Sequence, residues 1–136
     1  MAKRNVWMLL AMLLATLLSV SMLTAVDAAA PVARASHILV DSESEIDELL
    51  QEVEAADNLA AKFAELAESR SKCPSGRRGG DLGEFGRGQM VPEFDKVVFE
   101  KDVGVVHKVK TQFGWHLVLT TERSGIDVDA LDKDDL

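Results

Sequence analysis

Apolar and polar positions divide the chain into two unlike parts. Residues 6–23 (VWMLLAMLLATLLSVSML) are almost wholly apolar, with Lys3 and Arg4 before them and small residues from Thr24 to Ala30 after them. A charged start, an apolar middle and a small-residue end have the layout of a secretory signal peptide, and cleavage is expected after Ala28. The alternative is an uncleaved anchor, because residues 6–23 are close to the shortest run that crosses a bilayer. After Ala30 the pattern becomes periodic. Residues 35–40 (ASHILV) read as a short strand. Ser42 and Glu45 have capping-box spacing, and Ile46, Leu49, Leu50 and Val53 then recur at helical intervals with acidic residues on the other face. Asp57 or Asn58 restarts the pattern, and Leu59, Phe63 and Leu66 line a second helix to about Ser69. From Ser71 to Gly80 the Ser, Pro, Gly and Arg content indicates a loop.

Asp81–Phe85 reads as a strand and Arg87-Gly88 as a turn. Pro92 stands where a third helix would begin, with Phe94, Val97 and Val98 on its apolar face and its end near Phe99. Val103–Lys110 and Trp115–Thr121 read as strands joined by a tight turn at Phe113-Gly114, a hairpin. The order strand, two helices, strand, helix, strand, strand specifies an α+β domain: a small, mostly antiparallel sheet covered by helices. The expected division is a signal peptide at 1–28, a linker at 29–33, a domain at 34–123 and an acidic, disordered tail at 124–136.

Charge and cysteine content narrow the function. Without residues 1–28, which hold Lys3, Arg4 and Asp27, thirteen basic side chains face twenty-two acidic ones, a net charge of −9. Such a chain repels phosphate backbones, so no nucleic-acid partner is expected. Membrane contact is expected only through an uncleaved signal segment. Cys73 is the single cysteine, so there is no internal disulfide. The remaining length suffices for one core, and a monomer is expected.

Few residues could carry chemistry. His37 and His116 lie in expected strands among core residues, where a histidine is ordinarily structural; two of them could share a hydrogen bond through one ring nitrogen each. Cys73, beside Pro74, could be a small buried hydrophobe, an inert thiol, a nucleophile or a ligand. The spacing of His37, Cys73 and His116 matches no compact zinc pattern, and there is no C-x-x-C pair. Gly76-Arg77-Arg78-Gly79-Gly80 lacks the Gly-Lys-Ser/Thr ending of a phosphate-binding loop. Leu82, Met90 and Phe94 form an apolar set; Met90, among turn residues, suits an exposed binding surface better than a core.

Four blocks in order resemble the parvulin-type peptidyl-prolyl cis/trans isomerases. They are Ala35-Ser36-His37-Ile38-Leu39-Val40, Cys73-Pro74-Ser75-Gly76 with Arg78-Gly79-Gly80-Asp81-Leu82-Gly83-Glu84-Phe85, Gly88-Gln89-Met90-Val91-Pro92-Glu93-Phe94, and Thr111-Gln112-Phe113-Gly114-Trp115-His116. The resemblance spans about Arg34 to Arg123. It implies a four-stranded, mostly antiparallel sheet covered by about four helices. It also implies a proline ring packed on Leu82, Met90 and Phe94, and a histidine pair, His37 and His116, networked with Thr111. Cys73 would lie beside the isomerising bond, and Gln112 and Phe113 would help line the pocket. No metal or cofactor is implied; the partners are proline-containing polypeptides. Cys73 is then a polar neighbour of the carbonyl, not a covalent nucleophile. The alternative is a parvulin-like module that binds unfolded chains without catalysis.

Two departures from the family pattern stand out. Phospho-directed members carry a basic cluster after the first strand, whereas this chain has Asp41-Ser42-Glu43-Ser44-Glu45, which implies phosphate-independent activity. His107-Lys108 stands where Gly-Pro is frequent, and His107 is expected to be exposed. The final Lys133-Asp134-Asp135-Leu136 resembles the Lys-Asp-Glu-Leu retention signal, which suggests the endoplasmic reticulum lumen. A bacterial source would mean periplasm or envelope instead, and a plastid-bound precursor is a further alternative.

Overall fold

The computed structural model describes residues 30–125. Strand β1 (Val32–Val40) is followed by helices α1 (Glu43–Glu54) and α2 (Leu59–Arg70), then a short 3-10 helix (Pro74–Arg78). Strand β2 (Asp81–Gly86), helix α3 (Pro92–Glu100), strand β3 (Val106–Thr111) and strand β4 (Gly114–Ser124) complete the domain. The four strands form one antiparallel sheet in the order β2-β1-β4-β3. Three α-helices and the 3-10 helix account for the four helical segments expected.

The period-2 alternation of the strands builds a core on each face of the sheet. Ile38 and Val40 of β1, Val106 of β3 and Leu117 and Leu119 of β4 meet Ile46, Leu49 and Val53 of α1 and Phe63, Leu66 and Ala67 of α2. On the opposite face Ala33, Ala35, Val109 and Val118 meet Phe94, Val98 and Phe99 of α3. His37, His116 and Thr111 belong to strand positions of this second face, so the sheet itself brings them under α3.

Helix starts follow local chemistry. Ser42 Oγ accepts the Glu45 N–H at 3.2 Å, but the reciprocal half of the capping box is absent, because the Glu45 carboxylate binds Arg70 at 2.8 Å instead. Asn58, not Asp57, caps α2, accepting the Ala61 N–H at 3.0 Å. Pro92 occupies the first turn of α3, where its missing N–H costs nothing.

The sheet is longer at one end than expected. β1 begins at Val32, inside the expected linker, and Ala33 is core; Val32 pairs with both Gly86 and Ser124. β4 runs to Ser124, the first residue of the expected tail, because β1 gives it a partner that far. Val103 and Val105 lie outside β3, 40% and 47% exposed, where Gly104 with its positive φ turns the chain and donates its N–H to Thr120 O. His107 is half-buried, its Nε2 3.1 Å from Asp102 O. The expected loop at 71–80 holds the 3-10 helix, started by Pro74 and ended by Gly79 in the left-handed region. No helix of the described residues is long and apolar enough to cross a membrane. The expected signal peptide, and the tail from Ile126 with Lys133–Leu136, lie outside those residues.

Candidate active site

β1 and β4 are paired so that Leu39 faces His116 and His37 faces Val118, which sets the two histidines on the diagonal of one face. Their Nδ1 atoms lie 3.1 Å apart, with ring centres 5.3 Å apart and planes at 18°. Those values place the imidazoles edge to edge in nearly one plane, joined by a hydrogen bond and not stacked. Thr111 Oγ1 lies 2.7 Å from His116 Nε2 and accepts the Phe113 N–H at 3.1 Å. Phe94 from α3 stands edge-on to both rings, 5.6 Å from His37 and 5.8 Å from His116.

The protons of this chain are constrained. Burial, and secondarily the neighbouring His116, hold His37 down to about 4; burial also lowers His116. Both rings are therefore neutral near pH 7. The Nδ1–Nδ1 contact then takes one proton, so one ring donates and the other accepts. If the Thr111 hydroxyl donates to His116 Nε2, then His116 Nδ1–H donates to His37 Nδ1 and the His37 proton stays on Nε2. This tautomer set uses every polar atom of Thr111. His37 Nε2 is buried without a partner among the described residues.

Leu82 from β2 and Met90 from the turn before α3 are half-buried and pack on the same apolar cluster as Phe94. Met90 was expected on an exposed surface; it is instead partly buried, because the cluster of Phe94, Val98 and Phe99 supplies an apolar bed. The wall also stands on Phe85, whose ring centre is 6.4 Å from that of Phe94.

Cys73 is half-buried and immediately precedes the 3-10 helix. The segment is tied to β1: Lys72 N–H donates to Leu39 O at 2.8 Å, and Ser71 Oγ accepts the N–H groups of both Leu39 and Cys73. The residue before Cys73 is thus held on β1 at Leu39, two residues beyond His37. Ser75 is buried and donates its hydroxyl to Cys73 Sγ at 3.2 Å. After the 3-10 helix, His37 N–H donates to Gly80 O at 3.0 Å, and a Cβ at Gly80 would lie 2.4 Å from His37 O. Only glycine permits that approach at φ +84°. Gln112 and Phe113 form the β3–β4 turn; Gln112 is exposed and Phe113 is 61% exposed.

The structure therefore joins His37, His116, Thr111 and Phe94 in direct contact and packs Leu82 and Met90 on the apolar cluster that contains Phe94. Cys73 is joined to the strand of His37 through backbone bonds, and Phe113 reaches Thr111 through its own N–H. Two polar residues were missed by the sequence reading. Ser75 touches the only thiol, and buried Asp95 holds the turn that carries Met90. Asp95 had a signal: with Val91 and Val98 it falls in the apolar stripe of α3, where a carboxylate is out of place.

The family profile of the PPIC-type PPIASE domain matches residues 18–124. This chain belongs to the parvulin-type peptidyl-prolyl isomerase family. Foldase protein PrsA of Halalkalibacterium halodurans is 44% identical over 91 residues, which cover 65% of this chain and 26% of the relative. The crystal structure of the peptidylprolyl isomerase PrsA from Bacillus anthracis superposes with a TM-score of 0.65 at 32% identity, over 74% of this chain and 46% of that one. The solution structure of NmPin, the parvulin of Nitrosopumilus maritimus, gives 0.59 at 29% identity over 68% of this chain and 98% of that one. The parvulin domain is thus the shared unit, and this chain spans about a quarter of the length of the first of these relatives. The α+β parvulin fold expected from the sequence is the fold observed.

Proposed function

We propose that this parvulin domain isomerises X–Pro peptide bonds and serves as a foldase for proteins outside the cytoplasm. The observation that carries the reading is the neutral Thr111–His116–His37 chain lying against the apolar Phe94, with Leu82 and Met90 beside it. The barrier to rotation comes from amide resonance, about 18–20 kcal/mol, and no bond need break. A site that binds the twisted amide better than either planar form accelerates both directions. The apolar wall holds the proline ring and lowers the dielectric around the carbonyl, favouring the less charge-separated twisted form. His37 and His116, uncharged and rigidly bonded, form the floor. Cys73 stands beside the rotating bond as a polar neighbour, hydrogen-bonded by Ser75, and Gln112 and Phe113 edge the pocket.

Phosphate independence has a physical basis in the ion pairs after β1. Asp41 pairs with Lys72, Glu43 with Lys108 at 2.9 Å and Glu45 with Arg70 at 2.8 Å. The acids are partly neutralised, so bare repulsion is weaker than the sequence suggests. Yet the same pairs engage the three cations that flank this loop, so a phosphate would have to compete with Asp41, Glu43 and Glu45 for them.

Names of the relatives guide the compartment. PrsA of Halalkalibacterium halodurans is named a foldase and SurA of Chromobacterium violaceum a chaperone, and one similar structure, 28% identical with a TM-score of 0.66, is described with a periplasmic SurA-like chaperone. We therefore place the protein in the periplasm or envelope of a bacterium. The endoplasmic reticulum reading of Lys133–Leu136 draws no support from them.

Turnover of X–Pro peptides with Ala, Leu, Glu and phosphoserine before the proline tests the reading. Fast isomerisation of the Ala and Leu peptides, without preference for phosphoserine, is expected. Preferred turnover of phosphoserine would remove phosphate independence. Binding of unfolded chains without turnover of any peptide would favour the non-catalytic module.

A further inference from the structure

Asp95 is 9% exposed and lies in the first turn of α3, next in sequence to Phe94. Its carboxylate bridges two consecutive residues of the preceding turn. Oδ1 accepts the Gly88 N–H at 2.8 Å, and Oδ2 accepts from Arg87 Nη1 at 3.1 Å. Arg87 also reaches Glu100 Oε1 at 3.3 Å and lies 5.2 Å from the centre of the Phe99 ring. Within the turn, Gly86 N–H donates to Gln89 Oε1 at 2.8 Å. Residues 86–89 are therefore fastened both to themselves and to α3, and Met90 is the next residue along.

An acid near a helix start is ordinarily explained by the helix dipole. That effect needs no specific partner and would be met by an exposed carboxylate such as that of Glu93. It does not explain why Asp95 occupies the apolar stripe and accepts a backbone N–H from seven residues earlier. Burying a carboxylate is costly unless its oxygens are bonded, so its location calls for a role that an apolar residue could not fill.

We infer that Asp95 is a positioning residue: it latches the 86–89 turn to α3 and so holds Met90 on the apolar cluster of Phe94, where a proline ring would pack. The inference rests on the proposed isomerase reading for its consequence, though not for its geometry. With the latch open, Met90 leaves the wall while the Thr111–His116–His37 chain stays intact. Substrate binding then suffers more than the rotation step. Asp95→Asn keeps an oxygen for the Gly88 N–H but presents an amide to Arg87, and Arg87→Gln removes the charged arm alone. Each should have a smaller effect than Asp95→Ala.

The test uses the chain from Ala29 onward, whose described residues carry both cores. Two readouts are taken on wild type, Asp95→Ala, Asp95→Asn and Arg87→Gln. One is KM and kcat on an Ala-Pro peptide. The other, independent of activity, is amide exchange at Gly88 with the NMR signal of the Met90 methyl. The expected result for Asp95→Ala is a KM raised by about tenfold with kcat changed by less than about threefold. Gly88 exchange should be faster, the Met90 methyl signal displaced or broadened, and the pH profile unchanged. A folded Asp95→Ala protein with wild-type KM and unaltered Gly88 exchange would overturn the latch. If Asp95→Ala does not fold, Asp95→Leu, which fills the apolar stripe but offers no acceptor to Gly88, decides by the same readouts. Should wild type turn over no peptide, the isomerase reading fails, while faster Gly88 exchange and a displaced Met90 signal in the variant would still support the latch.

Discussion

His37 and His116 meet nitrogen to nitrogen, Nδ1 to Nδ1 at 3.1 Å, although they lie 79 positions apart in the chain. The antiparallel pairing of β1 with β4 fixes that meeting, and Thr111 on β3 completes the hydrogen-bonded row. Three adjacent strands thus each contribute one polar side chain to the row, and Thr120 of β4 is a further buried polar residue on the same face.

Stability should depend on pH through this pair. In the unfolded chain both histidines titrate near the ordinary value of about 6.5, whereas His37 in the fold is held at about 4. Between those values the unfolded chain binds more protons, so stability falls as pH drops from about 6.5 towards 4 and is flat above that window. The His37 contribution amounts to roughly 3 kcal/mol at most. Chemical denaturation of wild type and His37→Gln at pH 7.5 and 4.5 checks this. The difference between the two proteins should shrink at the lower pH, and a constant difference would show that His37 is not held neutral.

Glycine at position 80 should be indispensable. A Cβ there would lie 2.4 Å from His37 O at φ +84°, so Gly80→Ala must displace β1 or the segment after the 3-10 helix. A loss of about 2 kcal/mol or more in unfolding free energy is expected. Gly88→Ala is a useful contrast: its φ is also positive, at +80°, but a Cβ there meets nothing within 4 Å, so its cost should be smaller.

Thr120 offers a test in the stabilising direction. It is fully buried, and its Oγ1 has no partner among the described residues. Thr120→Val replaces that hydroxyl with a methyl of similar shape and should leave stability unchanged or raise it by about 1 kcal/mol. A clear loss in thermal denaturation would mean that the hydroxyl is bonded after all.

The fold was largely legible because its elements obey simple periods. Ile46, Leu49 and Val53 specify α1, and short apolar runs in residues 35–40 and 115–121 mark the two central strands. What periodicity could not show was pairing. Val32 and Ala33 look like linker in isolation and become strand because Gly86 and Ser124 flank them. Among the site residues, the two histidines carried only the weak signal of polarity within a strand; their mutual contact depends on register. Asp95 and Ser75 are bonded to neighbours within the same local segment; Asp95 carried the signal of a carboxylate in an apolar stripe, whereas nothing distinguishes Ser75 from a loop serine. Their roles emerge only when the turn and the 3-10 helix are folded.

Cys73 should be dispensable as a nucleophile. Cys73→Ser retains a small polar group beside Ser75, and Cys73→Asp retains polarity with added charge. In the proposed non-covalent rotation each keeps substantial turnover, with a loss of less than about 100-fold in kcat/KM. Abolition of activity in both folded variants would instead indicate a covalent step.

Exchange spectroscopy on an Ala-Pro peptide, which reads cis–trans interconversion directly, is the most decisive measurement of the isomerase reading. Catalytic amounts of the chain from Ala29 should accelerate exchange in both directions equally, and Met90→Ala should lower kcat/KM by about tenfold. A folded domain that binds the peptide yet leaves its exchange rate at the uncatalysed value would contradict the isomerase and leave a peptide-binding module.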